Sequence, residues 1–158
     1  MTNDRADALV LFGITGDLAA KKLLTSLYNL TCRGRLPPTV VGVASREWGL
    51  DELRAHVRRS LEAAGVTIDE AVFGELAVSL RYVAGDYRNA ETYERLSDAL
   101  GDARLPVCYL AIPPSLFGNV VEGLASTGLN ERARVVLEKP FGRDLVSAQQ
   151  LNRTLHHY

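Results

Sequence analysis

Residues 9–22 read LVLFGITGDLAAKK: an apolar run, a turn carrying two glycines, and a stretch whose composition suits a helix. A strand-to-helix turn of this kind directs backbone N–H groups at a bound phosphate when glycines stand at the right places. The spacing G-x-G-x-x-G is not met, because Leu11 stands where its first glycine would be, so the turn rests on Gly13, Gly16 and Ala19. Gly13 supplies a backbone conformation closed to other residues. Gly16 keeps any side chain from coming between backbone and pyrophosphate, and Ala19 lets the helix lie close to the strand. A P-loop is excluded, since no Gly-Lys-Ser/Thr follows and Lys21-Lys22 fall a turn inside the helix. The same residues also fit a plain helix start, with Asp17 favourably placed at the positive end of the dipole.

Working outward, short apolar runs alternate with amphipathic stretches, the pattern of strands joined by helical crossovers into a parallel sheet. The runs are Ala8–Phe12, Val40–Ala44, Leu80–Ala84, Val107–Ile112 and Arg134–Leu137. Their lack of polar alternation predicts strands covered on both faces. Leu50, Leu53, Val57 and Leu61 recur at helical spacing, as do Tyr93, Leu96 and Leu100, and the set Leu116, Phe117, Val120, Val121 and Leu124. A further short helix is predicted over 69–77, and Gly34, Gly65, Gly101 and Gly128 fall where helices should stop. The expected fold class is α/β, a doubly wound parallel sheet of Rossmann type, with residues 1–158 forming one domain. Ligands of such sheets bind outside the carboxyl ends of the strands at the switch point, which is where the Gly13 turn belongs.

Composition sets the outer limits. A chain of 158 residues, 47% of them hydrophobic, encloses one core but hardly two. A net charge of −1 argues against a nucleic-acid footprint or a polybasic membrane surface. No apolar run approaches the roughly 20 residues of a membrane span, and MTNDRADA carries acids where a signal peptide would be basic. The expectation is a cytoplasmic protein. Cys32 and Cys108 lie far apart with no CxxC pair or histidine cluster, so two reduced, packed thiols are expected and no metal site.

GITGDLAAKK resembles the G-A-S-G-D-L-A-x-x-K signature of glucose-6-phosphate dehydrogenases. In order along the chain, VVGVASREW resembles that family's second strand and cofactor-selecting turn, YVAGDYRNAETYERL its third unit, CYLAIPPSLF its fourth, and VVLEKPFGRDL its E-K-P-F-G-x-D substrate segment. The resemblance covers essentially the whole chain. It implies cofactor-binding roles for Gly13, Thr15, Gly16, Asp17 and Leu18 in the turn, and for Ala111, Ile112 and Pro113 at the nicotinamide end. It implies the same for Glu138 and Lys139 in the E-K-P segment, with Lys139 also binding substrate and Pro140 bending the chain there. Tyr109 either packs or touches the dinucleotide. The end of the second strand separates NAD from NADP, since a carboxylate there pairs with a ribose hydroxyl and an arginine accommodates the extra phosphate. The family's arginine commonly follows the alanine directly, whereas here Ser45 stands there and Arg46 comes one residue later. Arg46 has the length and planar fork to grasp a phosphate, so NADP is the expected cofactor. Glu47 is the residue that would favour NAD.

The implied activity is oxidation of glucose 6-phosphate to 6-phosphogluconolactone by hydride transfer to NADP, in a homo-oligomeric protein of the pentose phosphate pathway. The implied general-base histidine is expected downstream of these residues. LHHY, residues 155–158, resembles part of the family's R-I-D-H-Y-L-G-K segment only superficially, and His156 and His157 are expected on a solvated helix face. The chain is therefore expected to stop before the catalytic histidine and a C-terminal β-rich domain, and to be inactive by itself. The alternatives are a related sugar oxidoreductase, or a free-standing NADP-binding or sensing module.

Overall fold

The computed structural model describes residues 5–137 together with Arg153, His156 and His157. Five parallel strands, β1 (Ala8–Phe12), β2 (Thr39–Ala44), β3 (Leu80–Ala84), β4 (Pro106–Leu110) and β5 (Arg134–Leu137), form one sheet in the order β3-β2-β1-β4-β5. This is the doubly wound order, in which winding reverses direction between β1 and β4 and opens a crevice there. Between the strands run α1 (Leu24–Cys32), α2 (Leu50–Ala63), α3 (Glu70–Ser79), α4 (Ala90–Leu100) and α5 (Phe117–Ser126). No helix among the described residues is long and apolar enough to cross a membrane.

The apolar runs bury both faces because successive side chains of a strand point to opposite sides. On β1, Ala8, Val10 and Phe12 pack with Tyr93, Leu96, Phe117 and Val120 from α4 and α5. Leu11 of the same strand packs with Leu24, Leu27, Leu53 and Val57 from α1 and α2. Helix ends follow local chemistry. The Asp69 side chain accepts the N–H groups of Ala71 and Val72, and the Glu52 carboxylate accepts that of Gly49 ahead of α2. The four predicted stop glycines all have positive φ.

Three expectations are corrected. The fourth strand ends at Leu110 rather than Ile112. Its neighbour β1 ends at Phe12, whose carbonyl takes the Ala111 N–H at 2.9 Å, and beyond that the chain leaves the sheet for Pro113 and a 3₁₀ turn over Pro114–Leu116. β5 is not covered on both faces among the described residues: it lies at the sheet edge, with Val135 and Val136 36% and 39% exposed. Cys108 is buried, its thiol pushed up to about 12 by burial, but Cys32 is exposed, because the last residue of α1 turns away from the sheet. Arg153, His156 and His157 are helical and exposed, as expected of a solvated face.

Gly123 marks the tightest helix contact. A Cβ there would stand 2.1–2.5 Å from the Tyr93 ring, which is 1% exposed and anchored through its hydroxyl, donated to the Tyr87 carbonyl at 2.6 Å. Gly123→Ala should therefore destabilise the fold by about 1–3 kcal/mol through overpacking, although alanine recovers up to about 1 kcal/mol of helix propensity. A lowered urea midpoint at unchanged slope is the expected readout.

Candidate functional site

The loops leaving β1, β2 and β4 converge at one edge of the sheet. Gly13 has φ +86°, and a Cβ on it would lie 2.3 Å from the Ala111 carbonyl oxygen and 3.0 Å from the Ile112 side chain. Glycine is thus required twice, for its conformation and for the closeness of the two loops. The Gly13 N–H donates to the Val43 carbonyl at 2.8 Å, and the Gly16 N–H donates to the Gly13 carbonyl at 2.9 Å, closing a tight turn. Around Gly16, among the described residues, the one neighbour within 4 Å of an added Cβ would be that same Gly13 oxygen, at 3.3 Å. Ile14 anchors the turn from beneath: it is fully buried and lies where a side chain on Gly42 of β2 would otherwise stand.

The helix after the turn begins at Asp17 and passes through a π-helical turn, Ala19–Leu23, in which the Leu24 N–H bonds to the Ala19 carbonyl. Ala19 is completely buried against the sheet while Lys21 and Lys22 are exposed. One extra residue in the turn lets the small side chain face inward and both ammonium groups face water. π-turns of this sort recur at functional sites.

At the end of β2, Ser45, Arg46 and Glu47 are exposed. The Arg46 carbonyl accepts the Trp48 N–H at 2.8 Å and the Tyr82 hydroxyl at 2.6 Å, which fixes the turn's backbone. The Arg46 guanidinium lies over the Trp48 ring, 5.3 Å from its centre. Trp48 in turn meets His56 of α2 with ring centres 5.1 Å apart. Burial, the Arg59 charge and then Arg46 hold the His56 imidazole below its ordinary pKa, against a backbone interaction with Ile14 that raises it. The ring is therefore neutral at pH 7.

A strand-end glycine turn pressed against the β4 exit, with an arginine beyond the neighbouring strand, is the geometry of a dinucleotide site. The family model described as "Glucose-6-phosphate dehydrogenase, NAD binding domain" matches residues 10–158. The chain belongs to this family. Glucose-6-phosphate 1-dehydrogenase 1 of Mycobacterium tuberculosis (strain ATCC 25618 / H37Rv) is 45% identical over 152 residues, covering 95% of this chain and 32% of that protein. The X-ray crystal structure of glucose-6-phosphate 1-dehydrogenase from Mycobacterium avium matches with a TM-score of 0.91 and 47% identity, over 96% of this chain and 34% of that one. A glucose-6-phosphate dehydrogenase in complex with its substrate glucose-6-phosphate matches with a TM-score of 0.80 and 31% identity, over the same shares. The chain spans about a third of the length of these relatives.

Of the residues singled out by sequence, Gly13, Thr15, Gly16, Asp17 and Leu18 form the turn and helix start, and Ala111, Ile112 and Pro113 form the β4 exit facing it. Arg46 lies one strand away, at the β2 exit. Tyr109 lies inside β4, half-buried against the cluster under α1–α3. Glu138, Lys139 and Pro140 lie outside the described residues.

Three tyrosines of YVAGDYRNAETYERL escaped sequence reasoning as parts of the site. Tyr82 donates to the Arg46 carbonyl, Tyr87 to the Val43 carbonyl at 3.1 Å, and Tyr93 to the carbonyls of Tyr87 and Asn119. Because Val43 also receives the Gly13 N–H, the glycine turn is tied through Tyr87 to the packing of α4 and α5. Burial pushes the Tyr87 phenol up to about 12, so it stays a protonated donor throughout the physiological range. The only sequence signal was a cluster of tyrosines in one crossover.

Proposed function

We propose that residues 1–158 form one NADP-binding domain of a glucose-6-phosphate dehydrogenase, and that the longer protein oxidises glucose 6-phosphate to 6-phosphogluconolactone as a cytoplasmic homo-oligomer. The observation that carries the cofactor assignment is the Gly13 turn, closed under the Ala111 backbone at the switch point, with Arg46 at the neighbouring strand end. The glycine turn offers backbone N–H groups at a helix start to a pyrophosphate. Thr15 and Arg46 offer a hydroxyl and a guanidinium to a ribose phosphate. Ala111, Ile112 and Pro113 offer backbone and apolar contact to the nicotinamide end. NADP bound there would supply the hydride acceptor. Lys139, two residues beyond the end of β5, would hold the sugar against it, and a histidine outside these residues would take the hydroxyl proton. The substrate assignment draws support from family membership and from the relative solved with glucose-6-phosphate.

Calorimetric titration of the chain with each dinucleotide tests the cofactor assignment. NADP is expected to bind more tightly than NAD. Arg46→Ala should weaken NADP by about 1.5–3 kcal/mol, the worth of a charge-assisted phosphate contact, and leave NAD nearly unchanged. Equal affinity for the two, or NADP binding indifferent to Arg46→Ala, overturns the choice of NADP.

A further inference from the structure

Arg46 is exposed at the β2 exit, where a long side chain needs a support if its guanidinium is to be held in one direction. Among the described residues the hydrogen bonds of Arg46 are through its carbonyl, which accepts from the Trp48 N–H and the Tyr82 hydroxyl. The guanidinium is instead seated on the Trp48 ring, within the roughly 6 Å at which a cation is attracted to an aromatic face. Trp48 is half-buried and rests on His56, with the planes inclined at 54°. His56 is carried on α2, whose Leu53 and Val57 share a core cluster with Ile14 of the glycine turn. Among the described residues its buried Nε2 has no hydrogen-bond partner, and the ring packs against Trp48.

We propose that Trp48 and His56 are positioning residues for cofactor selectivity: two rings packed together at the β2 exit that hold the Arg46 guanidinium toward the ribose phosphate of NADP. This rests on the reading of the site as an NADP site. The ring pair supports the guanidinium at the loop that a 2′-phosphorylated ribose would have to touch. Removing either ring frees the arginine to swing into solvent, where ordering it again on binding costs affinity. The two cations around His56 come from different elements, Arg46 from the β2 exit and Arg59 from α2, and both favour the neutral ring. A neutral ring is the form that stacks beneath a cation without repelling it.

The effect must show in the difference between NADP and NAD, because damage to the glycine turn or to folding weakens both. Dissociation constants for both dinucleotides are measured calorimetrically on the chain carrying Trp48→Leu, Trp48→Phe, His56→Ala or His56→Phe, each with and without Arg46→Ala. Trp48→Leu and His56→Ala are expected to weaken NADP about fivefold, with NAD unchanged within twofold. The phenylalanine variants, which keep a ring in place, should retain most of the selectivity; if Trp48→Leu fails to fold, Trp48→Phe and the His56 pair decide. In the Arg46→Ala background the same substitutions should have no further effect, because coupled residues are not additive. An unchanged NADP/NAD ratio, additivity with Arg46→Ala, or loss of selectivity in His56→Phe overturns the inference while leaving the dinucleotide site intact. Failure of the unaltered chain to bind either dinucleotide overturns the underlying reading and the inference with it.

Discussion

Gly13→Ala is expected to reduce dinucleotide binding by at least about 100-fold and to destabilise the fold as well. Two costs add at this position. An L-residue held at φ +86° is strained by about 1–2 kcal/mol. Its Cβ would also overlap the Ala111 carbonyl at 2.3 Å, and neither backbone is free to retreat. The Gly13 N–H is fixed on Val43, whose carbonyl also holds the Tyr87 hydroxyl, and the Ala111 N–H is fixed on Phe12. Overpacking of this kind costs about 1–3 kcal/mol more. The strain should be relieved by rotating the turn, which moves the N–H groups from where a pyrophosphate would meet them. Calorimetry for both NADP and NAD, with a thermal melt as companion, checks the expectation. Binding within a few fold of the unaltered chain would show that the turn does not carry the phosphates.

The second large effect concerns turnover. A polypeptide of these 158 residues is expected to bind NADP yet form no NADPH from glucose 6-phosphate. A chain continuing through the length of its relatives should turn over, and Lys139→Ala in that longer chain should cost about 10²–10⁴-fold in rate, the range spanned by positioning and proton transfer together. The reason lies in what the described residues contain. On the proposed reading the Gly13 turn, the β4 exit and Arg46 bind the dinucleotide, and the base is a histidine outside these residues. NADPH absorbance at saturating substrates is the measurement. Robust turnover by the 158 residues would mean that His156 or His157 serves as the base, whereas indifference of the longer chain to Lys139→Ala would remove the role given to that lysine.

Much of the architecture was legible because it is written in local periodicities. Apolar runs gave five strands. Stripes at helical spacing placed α2, α4 and α5, and four glycines marked helix stops that all have positive φ. The glycine turn was legible too, since its residue types leave few alternatives. The rest depended on contacts that no local pattern encodes. Tyr82 and Tyr87 reach carbonyls in β2 and the turn beyond it, far away in sequence, and nothing in their own stretch distinguishes such a tyrosine from an ordinary core aromatic. The Trp48–His56 stack looks in sequence like one aromatic in a turn and one histidine on a helix. The early end of β4 was set by β1, and the exposure of Cys32 by the rotation of α1, both properties of a neighbour rather than of the residue. The π-turn at Ala19–Leu23 has no compositional mark, because any good helix-forming stretch accepts it when burial of one small residue requires it.

The central place of β1 governs the order in which this chain can fold. Ala8 pairs with Thr39 on one side and with Pro106 on the other. During synthesis the first partner arrives early, so β1, β2 and β3 with the helices on their shared face can assemble as soon as residue 84 has emerged. Until residues 106–110 follow, the other edge of β1 presents unpaired N–H and C=O groups, and its Phe12 face has no α5 to cover it. The crevice at the switch point cannot exist before β4 is in place, since its two walls are the exits of β1 and β4. A chain in which only β1, β2 and β3 had paired would be a half-sheet open to pairing with other strands, and closure of the β1–β4 seam both covers that edge and creates the crevice.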